Sequence, residues 1–351
     1  LPHRRWRRAR RLLILLLVLV AVFWGTGWIY ERNAERIHAH INDVQPDGVL
    51  YKARERVLER GSKRIVVLVH GFGASPMTML PIFDAFAERT DADLWAPLLD
   101  YHGRSLQRFA AFDAEAIRDD LAARLTQRIQ GYDEVVVIAH SFGGAMLADL
   151  VADGAIPDTA TVLLLAPAVD IRANTETTTL QLQAFRLWSA YCDIVAFGCT
   201  VPNPKGVDAQ ARADIYAQTI FFFIVPDAVL QLFDYADAIA PAVAGIDRPI
   251  DIVMARDDAE VSYAGTETLC AGLSTCRLYA FETGGHALMY GANSAALNTL
   301  FLRLADDPGS PTACDGLACA VAVPADTAAG PIPSVPRRHA RAAHQETPRW
   351  P

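Results

Sequence analysis

The residues whose types and spacing could do chemistry begin with one serine. Ser141 sits in Ala139-His140-Ser141-Phe142-Gly143-Gly144. An apolar, β-branched run from Glu134 to Ala139 precedes it, and a helical stretch, Gly144 to Asp153, follows. A serine on a sharp strand-to-helix turn presents its hydroxyl as a nucleophile toward an acyl carbonyl. Strand and helix backbones close on each other beneath such a turn, so the positions two before and two after must be small. Gly143 meets that demand, and Ala139 stands where a first glycine is usual. The plainer alternative is a serine that caps an ordinary helix.

Acyl transfer also needs donors for the oxyanion. His70-Gly71-Phe72-Gly73-Ala74-Ser75-Pro76 follows a second apolar run, Ile65 to Val69. Its glycines let backbone N–H groups turn toward a substrate, and the amides of Phe72 and Phe142 are the candidate oxyanion hole. The competing reading is a plain glycine turn. His70 precedes the turn and is read as structural, its ring held by backbone hydrogen bonds.

Elements that must position these groups are legible in the pattern. Strands are expected at Ile65–Val69, Asp93–Pro97, Glu134–Ala139, Thr161–Ala166, Ile250–Ala255 and Arg277–Phe281. Helices are expected at Met77–Arg89, Phe112–Gln130, Gly144–Asp153, Ser262–Ala271 and Ala292–Leu304. Alternation of this kind gives an α/β fold, a mostly parallel sheet flanked by helices. It stops across 171–247, which reads as helical and irregular. Residues 306–351, rich in Pro, Ala and Asp and then basic, read as a disordered tail.

These motifs resemble the α/β-hydrolase superfamily, and within it the monoacylglycerol lipase, carboxylesterase and serine-aminopeptidase-like group. His70 to Pro76 is typical of that group's oxyanion loop. Trp95-Ala96-Pro97-Leu98-Leu99-Asp100-Tyr101-His102-Gly103-Arg104-Ser105 is similar to its second loop, which usually reads Gly-His-Gly; Tyr101 replaces the first glycine. The resemblance spans residues 64–304 and is weak across 171–247. It implies an α/β-hydrolase fold with a helical cap at 171–247 and a core of 64–170 and 248–305. The usual first two strands are not visible before residue 64, so a shortened sheet is expected.

The resemblance further implies a serine, acid, histidine order along the chain. Asp257 and Asp258 both follow the strand Ile250–Ala255. Matching Ala255 and Val261-Ser262 to the family's Gly-x-x-Asp-x-x-Val-Pro pattern selects Asp258, with Asp257 as runner-up and Asp170 as a lesser alternative. His286, in Thr283-Gly284-Gly285-His286-Ala287, combines the right order with a post-strand setting, which none of the other eight histidines does. The implied triad is Ser141, Asp258 and His286, and no metal or organic cofactor is required. A catalytically silent module that binds a ligand or partner at the membrane is the rival from another class. Haloperoxidase or lyase chemistry on the same triad is a third.

Composition sets the surroundings. The chain has 351 residues, 52% of them hydrophobic, and a net charge of -8. Six arginines fall in residues 1–11, and residues 337–349 add a net three positive charges. The body between them therefore carries about -17, which repels phosphate and argues against nucleic acid as a partner. After the basic segment 1–11, residues 12–30 are apolar. As a helix they reach roughly 28 Å, enough for a hydrocarbon core. Arginine before the span and a neutral flank after it place the N-terminus in the cytoplasm and the catalytic domain outside, periplasmic in a bacterium. The rival is a cleaved signal peptide, but that would have a shorter apolar region and a clean cleavage site. Residues 31–63 read as a stalk. Six cysteines at short spacings (192 and 199, 270 and 276, 314 and 319) fit local disulfides in an exported chain. Aromatic residues of the cap, Phe185, Trp188, Phe197, Phe221, Phe222, Phe223, Phe233 and Tyr235, either face an apolar acyl chain or pack the cap onto the sheet. Anchor and cap together favour a small-molecule ester or lipid as substrate.

Overall fold

The computed structural model describes residues 2–169, 171, 179–195, 199–202, 223–273, 275–308 and 319–322. At its centre six parallel strands form a sheet: β2 (Arg64–Val69), β3 (Asp93–Ala96), β4 (Glu134–His140), β5 (Thr161–Leu165), β8 (Ile250–Ala255) and β9 (Cys276–Phe281). Short antiparallel strands close both edges, β1 (Arg56–Leu58) and β10 (Cys319–Ala322), in the order β1-β3-β2-β4-β5-β8-β9-β10. The central strands are apolar at nearly every position because both faces are covered. In β2, Ile65, Val67 and Val69 join one core, and Val66 and Leu68 join the other.

Helices α4 (Ala114–Arg128) and α5 (Phe142–Ala152) supply the first core, with Ile117, Leu121, Met146 and Leu150. Helices α2 (Leu80–Arg89) and α9 (Ser294–Asp306) supply the second, with Ile82, Phe86, Leu300 and Phe301. The expected helix ends shift where local chemistry intervenes. Asp113 accepts from the Ala116 amide as N-cap, so α4 starts at Ala114, two residues later than expected. The stretch expected as one helix from Met77 is a 3-10 turn, Pro76–Met79, followed by α2, whose first turn contains Pro81. Ser262 caps α8 (Tyr263–Gly272) by accepting from the Gly265 amide.

Two readings need correction. The sheet is shortened by one strand and not two, because β1 lies within the segment read as stalk and pairs with β3 as the edge strand. Cys319–Ala322, within the stretch read as a disordered tail, pairs with β9. Runs of three and four residues are too short to carry a period, and only the partner strand makes them strands. The first part of the segment read as stalk is helical, the continuation of α1 (Pro2–Asn42).

Within 171–247 the described elements are α6 (Thr179–Val195), the ribbon of β6 (Val201–Pro202) and β7 (Phe223–Ile224), and α7 (Pro226–Val243). Phe223, Phe233 and Tyr235 are buried in the first core, so these three pack the cap onto the body. Tyr235 donates to Asp149, which also pairs with Arg118. Phe185 and Trp188 are half-buried, whereas Phe197, Phe221 and Phe222 lie outside the described residues. Disulfides join Cys192 to Cys199 and Cys270 to Cys276. Cys314 lies outside the described residues.

Candidate active site

The turn between β4 and α5 is built by crowding. Ser141 takes φ 54° and ψ −120°, a conformation that costs a residue with a side chain on the order of 1–3 kcal/mol. Its amide donates to Leu165 and its carbonyl accepts from Ala168, so β5 and the loop after it hold the strain. A Cβ on Gly143 would fall 2.4 Å from the His70 carbonyl oxygen, and one on Gly144 would fall 3.1 Å from that of Ala139. A Cβ on Gly71 would fall 2.9 Å from that of Ser141, so the glycine loop after β2 lies directly against the serine. Phe142 opens α5, where the first amides have no partner within the helix. Ser141 itself is 8% exposed.

Beneath the turn, the rings of Phe72, Phe109, Phe112 and Phe142 surround His102 at 5.4–6.4 Å between centroids. His70 is held as expected: Nδ1 contacts the Gly71 carbonyl at 2.9 Å, and Nε2 accepts from the Leu99 amide.

The candidate acid, Asp258, and the candidate base, His286, stand on the loops after β8 and β9. Oδ2 of Asp258 lies 2.8 Å from Nδ1 of His286, and Oδ1 accepts from the amides of Glu260 and Val261. Burial by itself would raise the Asp258 pKa. The hydrogen bond and charge of His286, with those two amides, outweigh it and hold the carboxyl below its ordinary value. His140, the neighbour of Ser141, contacts the His286 carbonyl through Nε2 at 2.9 Å, and the two rings are 4.8 Å apart. The loop carrying His286 thus reaches the residue adjacent to Ser141. All three groups stand on loops at the carboxyl edge of the parallel strands, where α/β sheets carry their sites.

A family model for the alpha/beta hydrolase family matches residues 66–300. The chain belongs to the α/β-hydrolase family. Among solved structures, this α/β-hydrolase is similar to a metagenome-derived lipolytic enzyme of the LipS and LipT pair, with 19% identity, a TM-score of 0.60, and coverage of 74% of this chain and 99% of that one. It is also similar to a soluble variant of monoglyceride lipase from Saccharomyces cerevisiae, solved with a substrate analogue, at 13% identity and a TM-score of 0.57, with 72% and 88% covered. A carboxylesterase from Nitrososphaera gargenis aligns at 12% identity and a TM-score of 0.51, with 72% and 94% covered. No curated protein matches the chain. At these identities the likeness is one of fold.

Three features of the α/β-hydrolase site were not drawn from sequence. Asp257 does not approach the His286 ring through any of its described bonds; its carboxylate accepts from the amides of Gly284 and Gly285, at 3.2 and 2.8 Å. Adjacent aspartates therefore hold one loop, Asp257 by its backbone and Asp258 by its ring. The Asp-Asp pair was the available signal, but spacing cannot tell which carboxylate takes which partner. Tyr101, in the place of a family glycine, has φ +63°, the left-handed conformation that favours glycine, and Arg108 stacks over its ring at 4.1 Å. Third, His70, His102 and His140 are all buried. Burial pushes His102 down to about 4 and His140 down to about 3, and it drives His70 well below the ordinary range. Asp170 lies outside the described residues. Among the described residues, no cluster of three His, Cys, Asp or Glu is arranged to hold a metal ion.

Proposed function

We propose that this chain is a membrane-anchored serine hydrolase that cleaves carboxylic esters of lipid-like or medium-chain acyl substrates through an acyl-enzyme. The observation that carries the proposal is the 2.8 Å contact of Asp258 with Nδ1 of His286, on the strand edge that also presents the strained Ser141. A carboxylate on Nδ1 fixes the tautomer in which Nε2 is the base. Nε2 of His286 takes the Ser141 proton as Oγ attacks the acyl carbonyl. Asp258 stabilises the imidazolium that forms. The amides of Phe72 and Phe142 receive the oxyanion, an effect of roughly 3 kcal/mol per donor. His286 then protonates the departing alcohol, and water, deprotonated by the same ring, releases the acid.

The membrane part of the proposal is supported by α1, in which Arg10–His40 contains an 18-residue window of mean hydropathy 2.5, long and apolar enough to span a bilayer. Its basic start favours a cytoplasmic N-terminus and an extracytoplasmic catalytic domain. The core is assigned to 64–170 and 248–305, and the cap to 171–247. The lipolytic and monoglyceride-lipase fold neighbours agree with an ester substrate.

A fluorophosphonate probe tests the chemistry. Labelling of the native chain and not of Ser141→Ala is expected. No labelling of either returns the chain to the silent binding module. A series of p-nitrophenyl esters of rising chain length then reads the acyl preference.

A further inference from the structure

Helix α1 changes character at Tyr30. From Leu12 to Ile29 its large apolar side chains stand exposed, for example Leu12 at 66% and Trp28 at 56%. Beyond Tyr30 one face is buried, with Ala34 at 3% and His38 at 0% exposure. Residues 30, 34 and 38, and 31 and 35, repeat every four positions, so they share a face of the helix. That face is fastened to the body at two places. Tyr30 donates to the Thr200 carbonyl, and the Glu31 carboxylate accepts from the Cys199 amide at 2.6 Å and the Thr200 hydroxyl at 3.1 Å. Glu35 accepts from the Leu106 amide at 3.0 Å, and Nε2 of His38 lies 2.8 Å from the Arg104 carbonyl.

Both places belong to the catalytic edge. Arg104 and Leu106 follow the carboxyl end of β3. Cys199 and Thr200 lie in the insertion after β5, tied to α6 by the Cys192–Cys199 disulfide. Ser141, Asp258 and His286 follow the carboxyl ends of β4, β8 and β9 at the same edge. We infer that Tyr30–His38 is a rigid bracket that seats the catalytic edge and cap on the bilayer surface, so that the site takes its acyl ester from the membrane and not from solution. The inference rests on the proposed reading of residues 12–30 as a span and of Ser141 as a hydrolase nucleophile. The helix rises about 12 Å from Tyr30 to His38. Thr200, against Tyr30, therefore lies at the level where the apolar span ends. The Arg104 loop lies about one helix diameter farther out. A flexible stalk would let the domain tumble. A helix clamped by two carboxylates on backbone and hydroxyl donors does not, since charge-assisted bonds are the strong ones.

The test uses the full chain in phosphatidylcholine vesicles, with a long-chain monoacylglycerol in the bilayer and p-nitrophenyl butyrate in solution. A flexible Gly-Ser insertion of about six residues between Tyr30 and Glu31 leaves the Glu31, Glu35 and His38 contacts in place but frees the span. It is expected to cut bilayer-ester turnover roughly tenfold, as the orientation is lost, and to leave the soluble-ester rate unchanged. Unchanged turnover of the bilayer ester, or an equal loss of both rates, overturns the bracket. A native chain that cleaves the butyrate but not the monoacylglycerol also overturns it and leaves the hydrolase proposal standing. A native chain that cleaves neither ends the hydrolase proposal. The bracket is then judged by neutron reflectometry of a supported bilayer. Protein density resting on the headgroups in the native chain and spreading outward in the insertion variant is expected; density standing clear of the headgroups in the native chain overturns the bracket.

Discussion

The two halves of the candidate site are made by different forces. The turn around Ser141 is steric: a Cβ on Gly143 would fall 2.4 Å from the His70 carbonyl oxygen and one on Gly71 2.9 Å from the Cβ of Ser141, and Gly144 leaves only 3.1 Å to its neighbours. The loops carrying Asp258 and His286 are mainly polar: Asp257 and Asp258 accept from the amides of Gly284, Gly285, Glu260 and Val261, Asp258 also bonds the His286 ring, and Gly285 has open space around it, although a Cβ on Gly284 would fall 2.5 Å from the Leu288 side chain. A steric device tolerates no change of size. A hydrogen-bonded one is graded, because each bond is worth about 1 kcal/mol, or more when charged. The first should fail in folding, and the second in rate.

The largest effect should come from Asp258→Asn. An amide in place of the carboxylate turns the His286 tautomer the wrong way, and kcat should fall by about 10⁴ with the fold intact. A loss below tenfold, measured by steady-state ester hydrolysis, would break the assignment of Asp258 over Asp257. Asp257→Ala should cost roughly tenfold in kcat with little change in KM, because the loop loses two backbone anchors but the ring keeps its carboxylate. Asp257→Asn retains one acceptor oxygen and should recover part of that loss. An equal defect in both variants would mean that Asp257 acts by charge and not by holding the loop.

Stability sharpens the same contrast. Gly143→Ala should destabilise by about 2–3 kcal/mol or prevent folding, since the new methyl meets the carbonyl of His70 and the wall of Val69. Gly285→Ala, at φ +62° in open space, should cost only about 1 kcal/mol. Equal unfolding midpoints for the two variants would remove the steric account of the elbow.

The last prediction concerns pH. His70, His102 and His140 are held neutral by burial, with native pKa values below that of the unfolded chain, near 6.5. Between the two values the unfolded chain binds the extra protons, so stability is full above about pH 6.5 and falls as the pH drops toward 4. Each group contributes up to about 1.4 kcal/mol per pH unit in its own window. His102→Phe fills the aromatic box without a titrating group, and the slope of unfolding free energy against pH should flatten by one proton. An unaltered slope would show that His102 is protonated in the native state.

How much was legible follows from the same division of forces. Ser141 and the Gly71–Gly73 loop stood out because a steric requirement excludes most residue types, and composition records exclusion. The parallel strands stood out because burial on two faces demands continuous apolar runs. Histidine 286 was reachable by order and setting. The choice between Asp257 and Asp258 depended on a family pattern, since neighbouring carboxylates are chemically alike and differ only in what the fold brings to each. Strands β1 and β10 were invisible because each is short and, unlike the equally short β3, stands outside the strand-helix alternation.

By itself, then, the sequence determined what local rules write: the apolar span, the strand-helix alternation, the small residues around Ser141 and the titratable candidates. Tertiary structure alone decided that Asp257 holds the His286 loop by its backbone, that Tyr101 bears a glycine's backbone, that two short segments finish the sheet, and that Glu31 and Glu35 fasten α1 to the loop after β3 and the insertion after β5. The physical reason is range. Steric and periodic constraints act between neighbours in the chain, whereas a hydrogen bond across 28 or 168 residues exists only after the sheet has brought its partners together.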